Sequence, residues 1–278
     1  MQRIKSVTQQ ESKGRFIIQT QSLTKRFGDF TAVAELTISI EPGEIFGLVG
    51  PNGAGKTTVI KMLTTLLPPT AGNASVDGHS ITHEAVKVRR VIGYVPQLLS
   101  ADGALTGYEN LLIFSKLYDV PRQERKQRIS DVLNFMGLSN FADKLVRTYS
   151  GGMIRRLEIA QAMLHRPKVL FLDEPTIGLD PVARKAVWQH IQQLRADYGT
   201  TIFLTTHYMD EADQLCGRVA IMHLGKVAAI GSPSELKSSV GDGATLDDAF
   251  AYYSGAEVDT VGSYRETSRV RRIARRVG

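Results

Sequence analysis

The stretch Ile45-Phe46-Gly47-Leu48-Val49-Gly50-Pro51-Asn52-Gly53-Ala54-Gly55-Lys56-Thr57-Thr58 decides how the rest of the chain is read. Its first five residues are a continuous apolar run, the pattern of a strand buried on both faces. Gly50, Gly55, Lys56 and Thr57 then occupy the fixed positions of G-x-x-x-x-G-K-[ST], with Gly53 as a further glycine. Glycines let the backbone curl so that several N–H groups converge on one anion. The spacing predicts a helix from about Lys56 to Leu67, stopped by Pro68-Pro69, whose positive N-terminal end faces the same point. On this reading residues Gly50 to Thr58 wrap the phosphates of a nucleotide. Lys56 reaches the β- and γ-phosphates, and the Thr57 hydroxyl ligates Mg²⁺. The plain alternative is a glycine-rich turn with a surface lysine. The strand before the loop and the helix after it weigh against that.

Outward from this loop, Phe16, Ile18, Leu36, Ile38 and Ile40 alternate with polar residues, as antiparallel strands do, and Glu41-Pro42-Gly43-Glu44 makes a turn. Val91 to Val95 reads as another short strand. From about 98 to 166 the character becomes helical. Thr106-Gly107-Tyr108-Glu109 has the form of a capping box opening a helix to about Tyr118. Gly137 stands in a C-cap position. Ser150 caps a third helix with Met153, Leu157, Ala160 and Leu164 on one face, ended by Pro167. Val169–Leu172 and Ile202–Leu204 are buried-strand runs, with Val187, Ile191, Leu194 and Tyr198 marking one face of a helix between them. Strand, helix, strand implies a parallel sheet. Arg218 to Ile230 reads as a hairpin around Leu224-Gly225-Lys226.

The expected fold is therefore α/β: a P-loop NTPase core with a mostly parallel sheet, an N-terminal antiparallel β subdomain and an inserted helical subdomain. The expected division is a flexible lead-in at 1–14, the main domain at 15–235 with the helical block at about 98–166, and a C-terminal extension at 236–278.

Leu170-Phe171-Leu172-Asp173-Glu174 ends a buried strand in two adjacent acids. Such a strand is the usual second half of a Mg-nucleotide site. Asp173 is expected to hold Mg²⁺, mostly through water. Glu174 points differently and is placed to polarise the attacking water. A solvated acid pair is the alternative, and the phosphate loop upstream argues against it.

With these motifs in hand, residues 15–235 resemble the nucleotide-binding subunit of an ATP-binding-cassette transporter. Phe27, in Lys25-Arg26-Phe27-Gly28, matches the aromatic that stacks on adenine, where the family more often has Tyr; Phe30 lies close enough to take that place. Gln97, after Gly93-Tyr94-Val95-Pro96, matches the glutamine that links the Mg site to the helical subdomain. Tyr149-Ser150-Gly151-Gly152-Met153 matches the signature sequence, departing from Leu-Ser-Gly-Gly-Gln at its first and last residues. The part that binds an anion at a helix start, Ser150, Gly151 and Gly152, is intact. Pro175 to Asp180 matches the loop that crosses the dimer interface, and His207 matches the switch histidine. The resemblance implies ATP and Mg²⁺ as cofactors. It implies Glu174, His207, Lys56 and Gln97 in catalysis, and Thr57, Gln97 and Asp173 around the metal. It implies a second copy or paralogue, whose Ser150–Gly152 segment closes over the first copy's ATP.

Glu174-Pro175-Thr176-Ile177-Gly178-Leu179-Asp180-Pro181, Thr205 to Asp213 and Thr245 to Phe250 look like the subunits of drug-, lipid- and polysaccharide-exporting systems, the daunorubicin-resistance type above all. Their permease is a separate integral-membrane chain, expected to dock near Gln97. Two rivals remain: a soluble cassette ATPase of translation or DNA repair, and a non-hydrolytic regulatory subunit. A single cassette argues against the first. Glu174 and His207 argue against the second.

Composition fits this frame. The chain has 278 residues, 42% of them hydrophobic and 22% charged, ordinary for a globular protein with a real core. Its apolar runs are strand-sized, far below the ~20 residues of a spanning helix, and the polar N-terminus lacks the apolar stretch of a signal peptide. The expected location is the cytoplasmic face of the cell membrane, held there by a partner. Cys216, the only cysteine, has no disulfide partner and reads as a small side chain at a helix end. The net charge of +6 is concentrated at the C-terminus, where residues 265–278 hold six arginines against one glutamate. Val270, Ile273, Ala274 and Val277 fall between them at helical spacing. That pattern suits anionic lipid headgroups, and nucleic acid is not an expected partner.

Overall fold

The computed structural model describes residues 16–255; the lead-in expected at 1–14 and the basic tail expected to meet lipid lie outside the described residues. β1 (Ile18–Phe27) turns through Gly28-Asp29 into β2 (Phe30–Leu36), and β3 (Ser39–Ile40) returns against β1. Gly43, at φ +74, makes the turn before β4 (Ile45–Val49), which leads through the glycine loop into α1 (Lys56–Leu63). β5 (Ala71–Val76) and β6 (His79–Ser80) complete an antiparallel sheet of order β2-β1-β5-β6, with β3 on β1. α2 (Ala85–Val91) then leads to β7 (Ile92–Val95).

Between β7 and the next strand the chain forms α3 (Gly107–Leu117), α4 (Arg122–Phe135) and α5 (Gly151–Met163). The capping box at Thr106 is formed in full, Gly137 ends α4 at φ +64, and the Ser150 hydroxyl accepts from Met153 N, as the sequence suggests. β8 (Val169–Asp173), α6 (Pro181–Tyr198) and β9 (Thr201–Thr206) make the expected parallel unit. α7 (Met209–Leu215), β10 (Arg218–His223), β11 (Lys226–Gly231), α8 (Pro233–Ser238) and α9 (Leu246–Ser254) follow. The second sheet has the order β11-β10-β4-β9-β8-β7 and is parallel except for β11. The β10–β11 turn places Leu224 and Gly225 at positive φ, the conformation of a two-residue hairpin loop whose twist matches its strands.

Alternate residues of the central strands feed two cores, which is why their sequences are apolar without a break. Ile45, Val49, Leu170, Leu172, Ile202 and Leu204 face the α3–α7 side. Phe46, Leu48, Phe171 and Phe203 face α1 and the antiparallel sheet. On that second face Phe203 lies 5.7 Å from Phe46 and 5.6 Å from Phe171, centroid to centroid. Gly47 leaves room for Cys216: a Cβ there would come within 2.7 Å of the sulfur. The thiol is buried at the C-cap of α7, and burial pushes its pKa well above the usual value, with Glu211 and Glu44 adding to the shift.

Two expectations need correction. The helix from Lys56 ends at Leu63, not Leu67. Thr64 Oγ1 bonds back to Ile60 O at 2.8 Å, Thr65 turns to φ +64, and the amides of Leu66 and Leu67 both go to Lys61 O. Pro68 already disfavours helical backbone at Leu67, so the chain leaves the helix a turn early. Tyr198 is the other: Val187, Ile191 and Leu194 are buried, whereas Tyr198 is exposed and lays its ring at 5.5 Å against Phe135.

Thr20 ties β1 to the turn that follows β2. Its buried hydroxyl donates to Leu36 O at 2.8 Å and accepts from Ile38 N at 2.9 Å. Thr20→Val keeps the shape but removes that acceptor, and should cost about 1–3 kcal/mol. The check is a lower denaturant midpoint at an unchanged slope.

Candidate functional site

Three parallel strands deliver the site at one edge of the second sheet. Val49 is paired with Thr206 and Asp173 with Thr205, so β4, β8 and β9 end at the same level. Ligands of open α/β sheets bind at this carboxyl edge. The loop after β4 is packed from below by β2 and β10. A Cβ on Gly55, at φ +108, would lie 2.4 Å from Ala32 O, and one on Gly50 would lie 2.2 Å from Met222 O. Ala54 O accepts from Gly225 N at 3.0 Å. No side chain caps the start of α1 and no acid lies in its first turn, so its leading amides are available to an anion.

Lys56 is buried, and its Nζ donates to Gly50 O at 2.6 Å and Pro51 O at 3.1 Å. The same ammonium pairs with Glu174 Oε1 at 3.0 Å, while His207 Nδ1 is hydrogen-bonded to Glu174 Oε2. Glu174 stands at φ +52, a conformation that costs a non-glycine residue roughly 1–3 kcal/mol. Thr205 holds it there: Glu174 N donates to Thr205 Oγ1 at 3.0 Å and to Thr205 O at 3.1 Å. The Thr205 hydroxyl in turn donates to Asp173 Oδ1 at 2.7 Å, and Thr57 Oγ1 donates to the same oxygen at 3.1 Å.

Asp173 Oδ2 is buried and has no hydrogen-bond partner among the described residues. An orphaned carboxylate oxygen beside a threonine hydroxyl is the donor chemistry of a small hard cation. The residues therefore fit Mg²⁺.

The cleft above the loop is lined by Phe27, Phe30, Ala32, residues 51–58, Gln97 and Glu174. Phe27 and Phe30 face each other across the β1–β2 turn and both are exposed, so both offer a ring to a base. Lys56, Thr57, Asp173, Glu174, Gln97 and the aromatic pair thus come together, with His207 on Glu174. Ser150, Gly151 and Gly152 do not line this cleft. They open α5 against the start of α6, where a Cβ on Gly152 would meet Ala183 Cβ at 2.8 Å. Tyr149 is buried, and its hydroxyl donates to Phe141 O at 2.7 Å.

Two residues of the site were not foreseen. Thr205 enters the sequence reading only as the first residue of the stretch to Asp213 that resembles exporter subunits, yet it joins both acids. Glu211, fully buried, accepts from Thr176 Oγ1 at 2.7 Å and Trp188 Nε1 at 2.8 Å, tying the loop after Glu174 to α6. Burial raises its pKa against the pull of these hydrogen bonds. An acid four residues after His207 on a short helix is the sequence signal that could have found it.

Comparison with known proteins agrees with this geometry. The ABC transporter family matches residues 33–177. The daunorubicin/doxorubicin resistance ATP-binding protein of Streptomyces peucetius is 46% identical over 224 residues, covering 81% of this chain and 68% of that one. The linearmycin resistance ATP-binding protein of Bacillus subtilis is 40% identical, covering 81% and 72%. Nod factor export ATP-binding protein I of Burkholderia orbicola is 41% identical over 260 residues, covering 89% and 85%. Among solved structures, cbiO1 of Clostridium perfringens, part of an ABC transporter complex, superposes with a TM-score of 0.74 at 28% identity, covering 81% and 91%.

Gly55→Ala should displace the loop, because the new methyl meets backbone that cannot swing away. ATP affinity measured by calorimetry should fall at least about tenfold, the equivalent of ~1.4 kcal/mol.

Proposed function

The chain belongs to the ABC transporter family, as an ATP-binding and ATP-hydrolysing subunit of the exporter type, and on that premise we propose how its residues do the work. Gly50, Pro51, Asn52, Gly53, Ala54, Gly55, Lys56, Thr57 and Thr58 cradle the phosphates, and Phe27 stacks on the adenine, with Phe30 able to share that role. Thr57 and Asp173, joined by Gln97, would hold Mg²⁺, which supplies positive charge to the β- and γ-phosphate oxygens.

Lys56 now divides its ammonium among two carbonyls and Glu174. A phosphate dianion is the stronger competitor, so ATP draws Lys56 away and leaves Glu174 to accept a hydrogen bond from the attacking water. His207 holds Glu174 in place and contacts the γ-phosphate. Positioning and charge stabilisation then carry most of the rate.

Ser150, Gly151 and Gly152 lie outside the cleft they are expected to serve, which supports closure by a second copy. Two copies sandwich two ATPs and drive a separate membrane permease docked near Gln97 and the helical block. We take 15–235 as the cassette, 98–166 as its moving part and 236–278 as an extension. The working place is the cytoplasmic face of the membrane, with anionic lipid meeting the basic tail. Among the described residues no helix is long and apolar enough to cross a membrane. The cargo is a drug, lipid or polysaccharide, in keeping with the resistance and export names of the relatives. Those names give the soluble translation or repair reading no support.

The observation that carries this reading is the Glu174 carboxylate gripped at one oxygen by Lys56 and at the other by His207. Glu174→Gln should lower phosphate release about 10²–10⁴-fold and leave ATP-bound dimers that light scattering detects. Affinity purification of that variant in ATP from detergent-solubilised membranes should bring down a polytopic chain. Recovery of ribosomes or repair factors in its place would overturn the transport assignment.

A further inference from the structure

Arg155 is among the largest fully buried side chains of the protein, and no part of the mechanism above uses it. It lies on α5, one turn past the Ser150 cap. Its Nη1 donates to Pro96 O and its Nη2 to Gln97 O, both at 2.7 Å. Glu158, one turn further along the same helix and also buried, pairs with Arg155 Nη1 at 3.0 Å. Its Oε1 accepts from the amide of Ser100, from Ser100 Oγ at 3.2 Å and from Ala101 N at 3.3 Å. Beyond these, Asp102 N and Asp102 O are bonded to the Asn110 amide at 3.0 and 2.9 Å, on α3.

The segment from Pro96 to Asp102 is thus held at three stations, all on the helical layer. It enters from β7, a strand of the central sheet, and the Gln97 side chain lines the phosphate-loop cleft. The backbone of Gln97 belongs mechanically to the helices while its side chain serves the sheet. Leu98 and Leu99, between the first two stations, are exposed.

Stability does not explain the pair. Two charges taken out of water cost several kcal/mol each, and apolar replacements of similar volume are often neutral or stabilising. Arg155 Nε is buried without a hydrogen-bond partner among the described residues, so the guanidinium is not fully satisfied. Its two terminal nitrogens are nevertheless aimed at two successive carbonyls, one nitrogen to each, which the planar fork of a guanidinium holds in a fixed geometry.

We propose that Arg155 and Glu158 are positioning residues for Gln97: they lock the start of α5 and the Pro96–Ala101 segment into one rigid unit. A phosphate meeting Ser150 in the partner's site and the Gln97 side chain in the chain's own site are then joined by less than two turns of helix. This rests on the assignment of Gln97 and Ser150 made above.

The double substitution Arg155→Met with Glu158→Met removes the lock without stranding a buried charge, so the protein should still fold cooperatively, with a melting temperature lowered only by the backbone groups of Pro96, Gln97, Ser100 and Ala101 that lose their partners. In the full-length chain, Gln97→Ala alone and the double substitution alone should each lower kcat about tenfold, with KM for MgATP within about threefold. Combined, they should lower it little further, because coupled sites are not additive. Reductions that multiply would overturn the proposal, as would an unchanged kcat in the double variant. Amide exchange gives a readout independent of catalysis. In the wild type, the Ser100 and Ala101 amides should exchange only when α5 opens, with protection equal to that of α5. In the double variant they should exchange at least about tenfold faster while α5 stays protected. Ser100 and Ala101 exchanging freely in the wild type would sink the rigid unit. A wild type that protects them but hydrolyses no ATP would instead sink the ATPase reading and leave the lock standing.

Discussion

A single hydroxyl on β9 sets two neighbouring acids to different tasks. Thr205 gives its proton to Asp173 and receives the amide proton of Glu174. The first bond fixes Asp173 Oδ1 and leaves Oδ2 free for a cation. The second anchors the backbone at the point where it turns to positive φ, so that Glu174 departs from the line of β8 toward Lys56 and His207. Without that turn, successive strand residues would point to opposite faces, and only one acid could reach the cleft. The level endings of β4, β8 and β9 are what bring a hydroxyl from one strand between acids on another.

The helical layer is bound to the sheet by different chemistry. α5 runs between the other helices and the sheet, and nearly every position of its second half is buried. At two buried positions, Arg155 and Glu158, it carries opposite charges, and both are spent on the backbone beyond β7. Apolar packing would tolerate small sliding between layers. Charged groups bonded to named carbonyls and amides tolerate much less. The protein has therefore placed its most directional contacts at the joint between the nucleotide cleft and the helical layer that we propose meets a second copy.

Much of this was legible from residues alone, and the failures have identifiable causes. The glycine loop, the Asp173-Glu174 strand end and the Thr106 capping box are local patterns whose physics acts within a few residues. The two cores were implied by unbroken apolar runs. Thr205 was hidden because a threonine in a strand is favoured for its shape as much as for its hydroxyl. Arg155 and Glu158 were hidden because charged residues on an amphipathic helix are expected to face water, and only the packing of α5 on both sides buries them. Tyr198 erred the other way, an aromatic on the apolar face that the helix end leaves in solvent. The early end of α1 falls at Thr64, whose hydroxyl bonds back to Ile60 O, and at Thr65, whose backbone turns to positive φ.

The contact between Gly47 and Cys216 has a practical side. The chain's sole thiol is shut inside the protein and held in its protonated form by burial. Alkylating and disulfide-forming reagents attack thiolates they can reach, so the native protein is a chemical blank. Probes or crosslinkers attached at newly introduced surface cysteines will report from those places alone, and the native sulfur can stay where Gly47 makes room for it.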